Sequence, residues 1–132
     1  MADAELVLAL LRQTLGALET IARRFAPVQS PEDFTSSDAG MEKLDAICMQ
    51  LIAVGESVKN LHKVTEGELL PQYPEVEWKK VMGMRDVISH HYFDVDAELA
   101  YAVCAGSVPA MAALLRQMIL DLSLSAQGPQ AE

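Results

Sequence analysis

The chain has 132 residues, with ten basic against nineteen acidic side chains and a formal charge of −9. That length suits a single domain, one that buries about two thirds of the surface its unfolded chain exposes and needs no disulfide or metal staple. The acidic balance excludes a protein that grips nucleic acid through a broad basic face, because phosphate neutralisation by Lys and Arg dominates such affinity.

Asp3 and Glu5 stand where a leader peptide would carry basic residues, and no apolar run approaches the roughly 18 residues that span a bilayer, so neither secretion nor membrane insertion is expected. Apolar residues at three- and four-residue spacing, Leu6, Leu10, Leu11, Leu18, Ile21 and Phe25, then predict a first amphipathic helix ending before Pro27. Pro27 to Pro31 reads as a loop. After Ser36-Ser37-Asp38, which can supply an N-cap, Met41, Leu44, Ile47, Cys48, Leu51, Val54, Val58 and Leu61 predict a long second helix. Gly67, Pro71 and Pro74 break the pattern, and the segment from about Glu66 to Pro74 is the main loop.

A third helix is expected from Glu75–Trp78 to about Tyr92. Asp94 or Asp96 can cap a fourth, which runs through Leu99, Ala102 and Val103 to Gly106. Ser107 and Pro109 then read as the N-cap and first-turn proline of a fifth, carried on by Leu114, Leu115, Met118 and Leu122. These patterns predict an all-α antiparallel bundle of four to five helices in one domain, residues 1–124, with a flexible polar tail over 125–132. The seven methionines read mainly as core filling, with a dimer face as the other use of an apolar stripe. Cys48 and Cys104 have no metal-like spacing and fall in apolar helical patterns, as buried free thiols in a reducing cytoplasm would. No metal or other cofactor is expected.

Arg85-Asp86-Val87-Ile88-Ser89-His90-His91-Tyr92 sets a permanent cation, a titratable imidazole and a phenol within about two helical turns. An arginine offers a charged fork to phosphate oxygens and a histidine moves protons near neutral pH, which is chemistry suited to RNA phosphodiester cleavage. Lys79 and Lys80 lie close by and make a small basic patch for weak, salt-sensitive RNA contact. On one straight helix, at about 100° per residue, His90 falls about 140° from Arg85 and one turn from Asp86. Arg85 then reaches His90 by swinging across, by a bend at the helix end, or through a second subunit, and the homodimer is preferred. Asp86 can orient the His90 ring. Ser89 can donate to a phosphate or back to the preceding turn's carbonyl. His91 reads as a surface or interface residue, His62 lacks the paired spacing of a metal ligand, Glu56 reads as a solvated helix carboxylate, and Tyr92 by itself reads as structural.

With Trp78-Lys79-Lys80-Val81-Met82-Gly83-Met84 before it and Phe93-Asp94-Val95-Asp96 after it, this segment resembles the HepT-type toxins of the HEPN superfamily. Those helical proteins carry an arginine, a short spacer and a histidine, here extended by a tyrosine two positions on. The resemblance covers roughly Met41 to Ile119 and includes Gly55-Glu56. It implies metal-independent endoribonuclease activity on an RNA such as tRNA or mRNA, with Arg85 and His90 as the catalytic pair in a cleft shared by a homodimer. It further implies a partner, an MntA-type nucleotidyltransferase antitoxin that transfers adenylate from ATP to Tyr92. Asp86 stands where the family commonly has Asn. That departure and the acidic surface leave open a non-catalytic helical subunit that docks with a nucleotidyltransferase, and a plain helical dimerisation module is a further alternative.

Overall fold

The structure, a computed structural model, describes residues 3–91 and 94–127, and the side chains of residues 89, 90, 91, 94, 126 and 127 lie outside the description. Helix α1, Ala4–Phe25, starts where the Asp3 carboxylate accepts the Glu5 N–H and ends with Arg23 and Arg24 in its last turn. The arginines suit the negative end of the helix dipole. Its core stripe is Val7, Leu10, Leu11, Leu18 and Ile21, whereas Leu6 turns outward and is 44% exposed. A one-turn helix, α2 (Glu32–Thr35), follows the Pro27–Pro31 segment and seats Phe34 fully in the core, an element the spacing did not predict. Ser37 then caps α3, Asp38–Val64, by accepting the Gly40 N–H, as the serine cluster predicted.

The long helix α3 buries Leu44, Ile47, Cys48, Leu51, Val54, Val58 and Leu61, while Met41 at its start is exposed. Its turn out of helix uses left-handed backbone at Glu66 and Gly67, φ 55 and 74. A 3-10 turn, Leu70–Gln72, follows and buries Leu70. Helix α4, Trp78–Met82, then begins inside the expected window.

From there the chain departs from the expected single helix. Gly83 separates α4 from a second five-residue helix, α5 (Met84–Ile88), and the chain leaves helical geometry after Ile88. Strand β1, Ser89–His91, pairs antiparallel with β2, Asp94–Val95, and the Asp96 N–H closes the excursion on the Ile88 carbonyl at 3.0 Å. The run from Val87 to Val95 is rich in β-branched and aromatic residues, which favour extended backbone over helix. This small hairpin is a local departure within an all-α bundle.

Asp96 caps α6, Ala97–Ala102, by accepting the Leu99 N–H. The expected break at Gly106 does not occur. A π-helical turn, Val103–Ser107, carries the chain directly into α7, Val108–Gln127, with the Val108 N–H reaching back to the Val103 carbonyl. A proline inside a regular helix collides with the carbonyl four residues earlier. The wide turn before Pro109 makes room for its ring, so the residue read as a helix start sits within a continuous helix.

That helix is also longer and more apolar than the sequence reading allowed. Over Ala97–Ser125 it has the length and composition of a membrane span, with a mean hydropathy of 1.5 in its most apolar stretch. One side of it packs into the bundle through Val108, Met111, Ala112, Leu115 and Met118. Helix α1 packs against both α3 and α7, and α4 and α5 pack on α3. Arg116 and Glu19 pair at 3.2 Å across the α1–α7 seam.

Cys48 and Cys104 are buried free thiols, as expected. Burial pushes the Cys48 thiol up to about 11, with Asp45 adding to the effect, and the Cys104 thiol up to about 12, with Cys48 adding to it. A thiol is nucleophilic as the thiolate. At pH about 8.5, where an unperturbed cysteine is half ionised, iodoacetamide should label neither residue in native protein and both after denaturation, as read by intact mass.

Candidate active site

The segment that carries the candidate residues is held from two sides. From α7, the Asp121 carboxylate accepts the Tyr73 hydroxyl at 2.8 Å, and the Tyr73 carbonyl accepts the Trp78 indole N–H at 2.8 Å. This chain of bonds ties the first residue of α4 to the far end of the bundle. Gln117 donates to the other Asp121 oxygen at 2.7 Å and fixes that carboxylate. Burial, the hydrogen bond to Asp121, and the charges of Asp121 and Glu75 together push the Tyr73 phenol up to about 12. From α3, buried Gly55 lets the α4–α5 joint come close.

At the joint, the Gly83 N–H is shared between the Lys79 and Lys80 carbonyls, and the Gly83 carbonyl accepts the N–H groups of Asp86 and Val87. Met84 and Ile88 point into the core, which turns Arg85 and Asp86 outward, and both are exposed. Among the described residues neither forms an ion pair, nor does Lys79. Lys80 pairs with Glu77 at 3.3 Å, with both side chains more than two thirds exposed. Such a pair is weak and readily exchanged for another anion.

The helical geometry inferred between Arg85 and His90 does not hold. His90 lies in β1, so neither the 140° offset from Arg85 nor a one-turn pairing with Asp86 applies. The strand register instead sets Ser89 opposite Val95 and His91 opposite Asp94, which leaves His90 as the extra residue of a bulge. Bulges recur beside active sites because they re-aim one residue out of the pleat. The backbone of Ser89 and His91 belongs to the ladder, and Tyr92 lies outside the described residues. The fold thus brings Lys79, Lys80, Arg85, Asp86 and the backbone of His90 onto one helix–helix–strand unit.

Beside this unit runs a groove of about 700 Å³ between α4–α5 and the π turn, floored by Val81, Met84, Val87, Leu99, Val103 and Met111. No spacing in the sequence announced it, since it exists only where α5 and the α6–α7 helix meet. The Tyr73–Asp121 tether was equally invisible, because its two ends are far apart in the chain. Glu56 is the solvated helix carboxylate expected, and it pairs with Lys59 at 3.3 Å on its own helix. His62 ends α3 with its ring against Gly67, and its Nδ1 is buried without a hydrogen-bond partner among the described residues. Among the described residues no group of three His, Cys, Asp or Glu side chains is arranged to hold a metal.

These features are those of a helical protein with an arginine–histidine segment on a short excursion from the bundle. A family described as "Ribonuclease HepT-like" matches residues 14–118, and the chain belongs to that family. It is 31% identical over 77 residues to "Putative RNase MJ0127" of Methanocaldococcus jannaschii, covering 58% of this chain and 60% of that protein. It is 30% identical over 74 residues to "Putative RNase TTE0752" of Caldanaerobacter subterraneus subsp. tengcongensis, covering 56% of this chain and 62% of that protein. The chain therefore spans about 60% of the length of these relatives. No solved structure matches it.

Replacing Tyr73 by Phe removes the tether to Asp121 and should cost about 1 kcal/mol, a typical value for a part-buried hydrogen bond. The raised Tyr73 pKa means the phenol contributes its stability in full below its unfolded value of about 10 and loses it as pH rises through about 12. Wild-type protein and Tyr73→Phe should therefore differ in urea midpoint at pH 8 and converge as the pH approaches about 12.

Proposed function

We propose that the chain is a metal-independent endoribonuclease and the toxin of a two-protein pair, working in the cytoplasm on an RNA such as tRNA or mRNA. The observation that carries this is an exposed Arg85, free of any ion pair among the described residues, on the helix that leads directly into the strand whose bulged residue is His90, in a ribonuclease-like family. The names of its relatives support the same activity.

In this reading the substrate's own 2′-hydroxyl attacks the adjacent phosphorus. Its proton is taken up, the bond to the 5′-oxygen breaks, and that oxygen leaves with a proton, giving a cyclic phosphate and a 5′-hydroxyl. His90 is the general acid or base, and Arg85 stabilises charge growing on the non-bridging oxygens. Lys79, Lys80 and His91 contact RNA, while Ser89 and Asp86 support the pair. A homodimer brings two such sites together across one cleft. The apolar groove beside α5 supports that assembly, because a second copy would cover it.

The partner is an MntA-type nucleotidyltransferase antitoxin that attaches adenylate to Tyr92. A phosphate added there competes with RNA for the Arg85 guanidinium. Asp86, an anion at the position where the family commonly has Asn, gives the second reading its support: a non-catalytic subunit that docks with the nucleotidyltransferase.

Purified protein with unmodified Tyr92, confirmed by intact mass, should cleave a total tRNA pool in the presence of EDTA. Arg85→Ala and His90→Ala should each lose at least about a hundredfold in rate while keeping the wild-type melting temperature. Full cleavage by folded His90→Ala would remove that residue from the mechanism, and no cleavage by wild-type protein would favour the docking subunit. Tyr92→Phe should stay active in the presence of ATP and the nucleotidyltransferase, which should silence wild type.

A further inference from the structure

Gly55 lies in the middle of α3 and is buried. A Cβ built on it would stand 2.6 Å from the Val81 carbonyl oxygen and 3.1 Å from the Met84 Cβ. Carbon does not approach a carbonyl oxygen that closely, and a backbone carbonyl cannot rotate aside as a side-chain tip can. Any side chain at this position must therefore lift α4–α5 from α3. Val81 is in the last turn of α4 and Met84 is the first residue of α5, so the contact falls on both sides of the Gly83 joint. Arg85 is the next residue in the chain.

The other glycines set this one apart. Gly83 has nothing closer than 3.6 Å to a Cβ of its own, and Gly16 and Gly106 face open space. Gly40 is more tightly constrained than Gly55, since its Cβ would run into the Asp33 carbonyl, but that contact joins α3 to the α2 turn and touches neither α4 nor α5. The joint's own glycine is thus dispensable sterically, whereas the glycine it rests on is not.

We infer that Gly55 is a positioning residue for the Arg85–His90 site: its bare backbone sets the height at which the α4–α5 joint rides on α3, and through that where Arg85 presents its guanidinium. The inference rests on the ribonuclease reading, because it assigns Gly55 a part in that reaction. The geometry of the joint is a separate claim and has its own readout. Trp78 is the single tryptophan of the chain and is buried at the start of α4, so its emission reports the seating of that helix.

The experiment compares Gly55→Ala with Gly40→Ala and Gly83→Ala in tRNA cleavage, thermal unfolding and Trp78 fluorescence. Displacing a charge-stabilising group by about 1 Å costs on the order of a hundredfold in rate. Gly55→Ala should therefore lose about 10- to 100-fold in kcat with KM changed by less than about threefold, together with an altered Trp78 emission. Gly40→Ala should lose at least as much thermal stability yet keep wild-type kcat and Trp78 emission when assayed where it is folded. Equal kcat losses in the two variants at matched stability, or wild-type kcat in folded Gly55→Ala, would overturn the assignment. Gly83→Ala should fold and cleave like wild type. A kcat loss there would put control of Arg85 in the joint itself and overturn the role of Gly55, even if Gly55→Ala proves insoluble. Should wild type fail to cleave RNA, the ribonuclease reading falls, and the Trp78 comparison still decides whether Gly55 seats α4.

Discussion

Helix α3 has to bury two faces, and how closely its second face can be approached governs the functional end of the molecule. Its first face meets α1 through ordinary side-chain interdigitation, with Thr14 and Ser57 bonded at 2.6 Å across the seam. Its second face has to accept α4 and α5, each of five residues. Helices that short have little stability of their own, because nucleation of the first turn is not repaid over so few hydrogen bonds. They persist because Trp78, Val81, Met84 and Ile88 are buried against neighbours. Gly55 lets that burial occur at backbone contact distance, and the Tyr73–Asp121 tether anchors the same unit from the other side.

Anchoring of this kind would suit the proposed RNA site. Burying Met84 and Ile88 determines which residues of α5 face solvent, and the exposed ones are Arg85 and Asp86. The guanidinium is thus presented by the packing of its neighbours and not by bonds of its own among the described residues. On a body of charge −9, Arg85, Lys79 and Lys80 gather three cations on the α4–α5 unit, beside Asp86 and with Lys80 paired to Glu77. In the proposed reading these cations would hold phosphate weakly and in a salt-dependent way, and phosphate added beside them would compete for them.

Much of the bundle was legible from periodicity. The limits of α1, the Ser37 cap and the buried face of α3 from Leu44 to Leu61 follow from apolar residues at helical spacing and from local capping chemistry. The structure departs from these local patterns at three places. Counting Arg85, His90 and Tyr92 on a helical wheel extends the third helix to about Tyr92, while the β-branched and aromatic content of the run from Val87 favours extended chain, and helix ends at Ile88. A helix boundary is expected at Gly106, with Ser107 as N-cap and Pro109 in the first turn of the next helix, yet a π turn carries the chain through Gly106 and Pro109 falls within the continuing α7. Leu6 and Met41 were assigned to apolar stripes whose terminal turns face solvent.

The residues of the candidate site were legible as chemistry, since an arginine, a histidine and a tyrosine in close succession carry their functional groups wherever they sit. Their geometry was not. Whether His90 shares a helix with Arg85 or stands as the bulged residue of a strand depends on how the segment closes on Asp96. By itself the sequence determined the helical class, the long core helices and the identity of the reactive groups, because propensity, periodicity and side-chain chemistry are local properties. Tertiary structure alone decided the break at Gly83, the continuous α6–α7 helix, the apolar groove and the seat of the motif on Gly55. The groove and the Gly55 seat depend on a carbonyl and side chains from parts of the chain that no local pattern brings near, and the π turn and the Gly83 break are backbone choices that periodicity does not record.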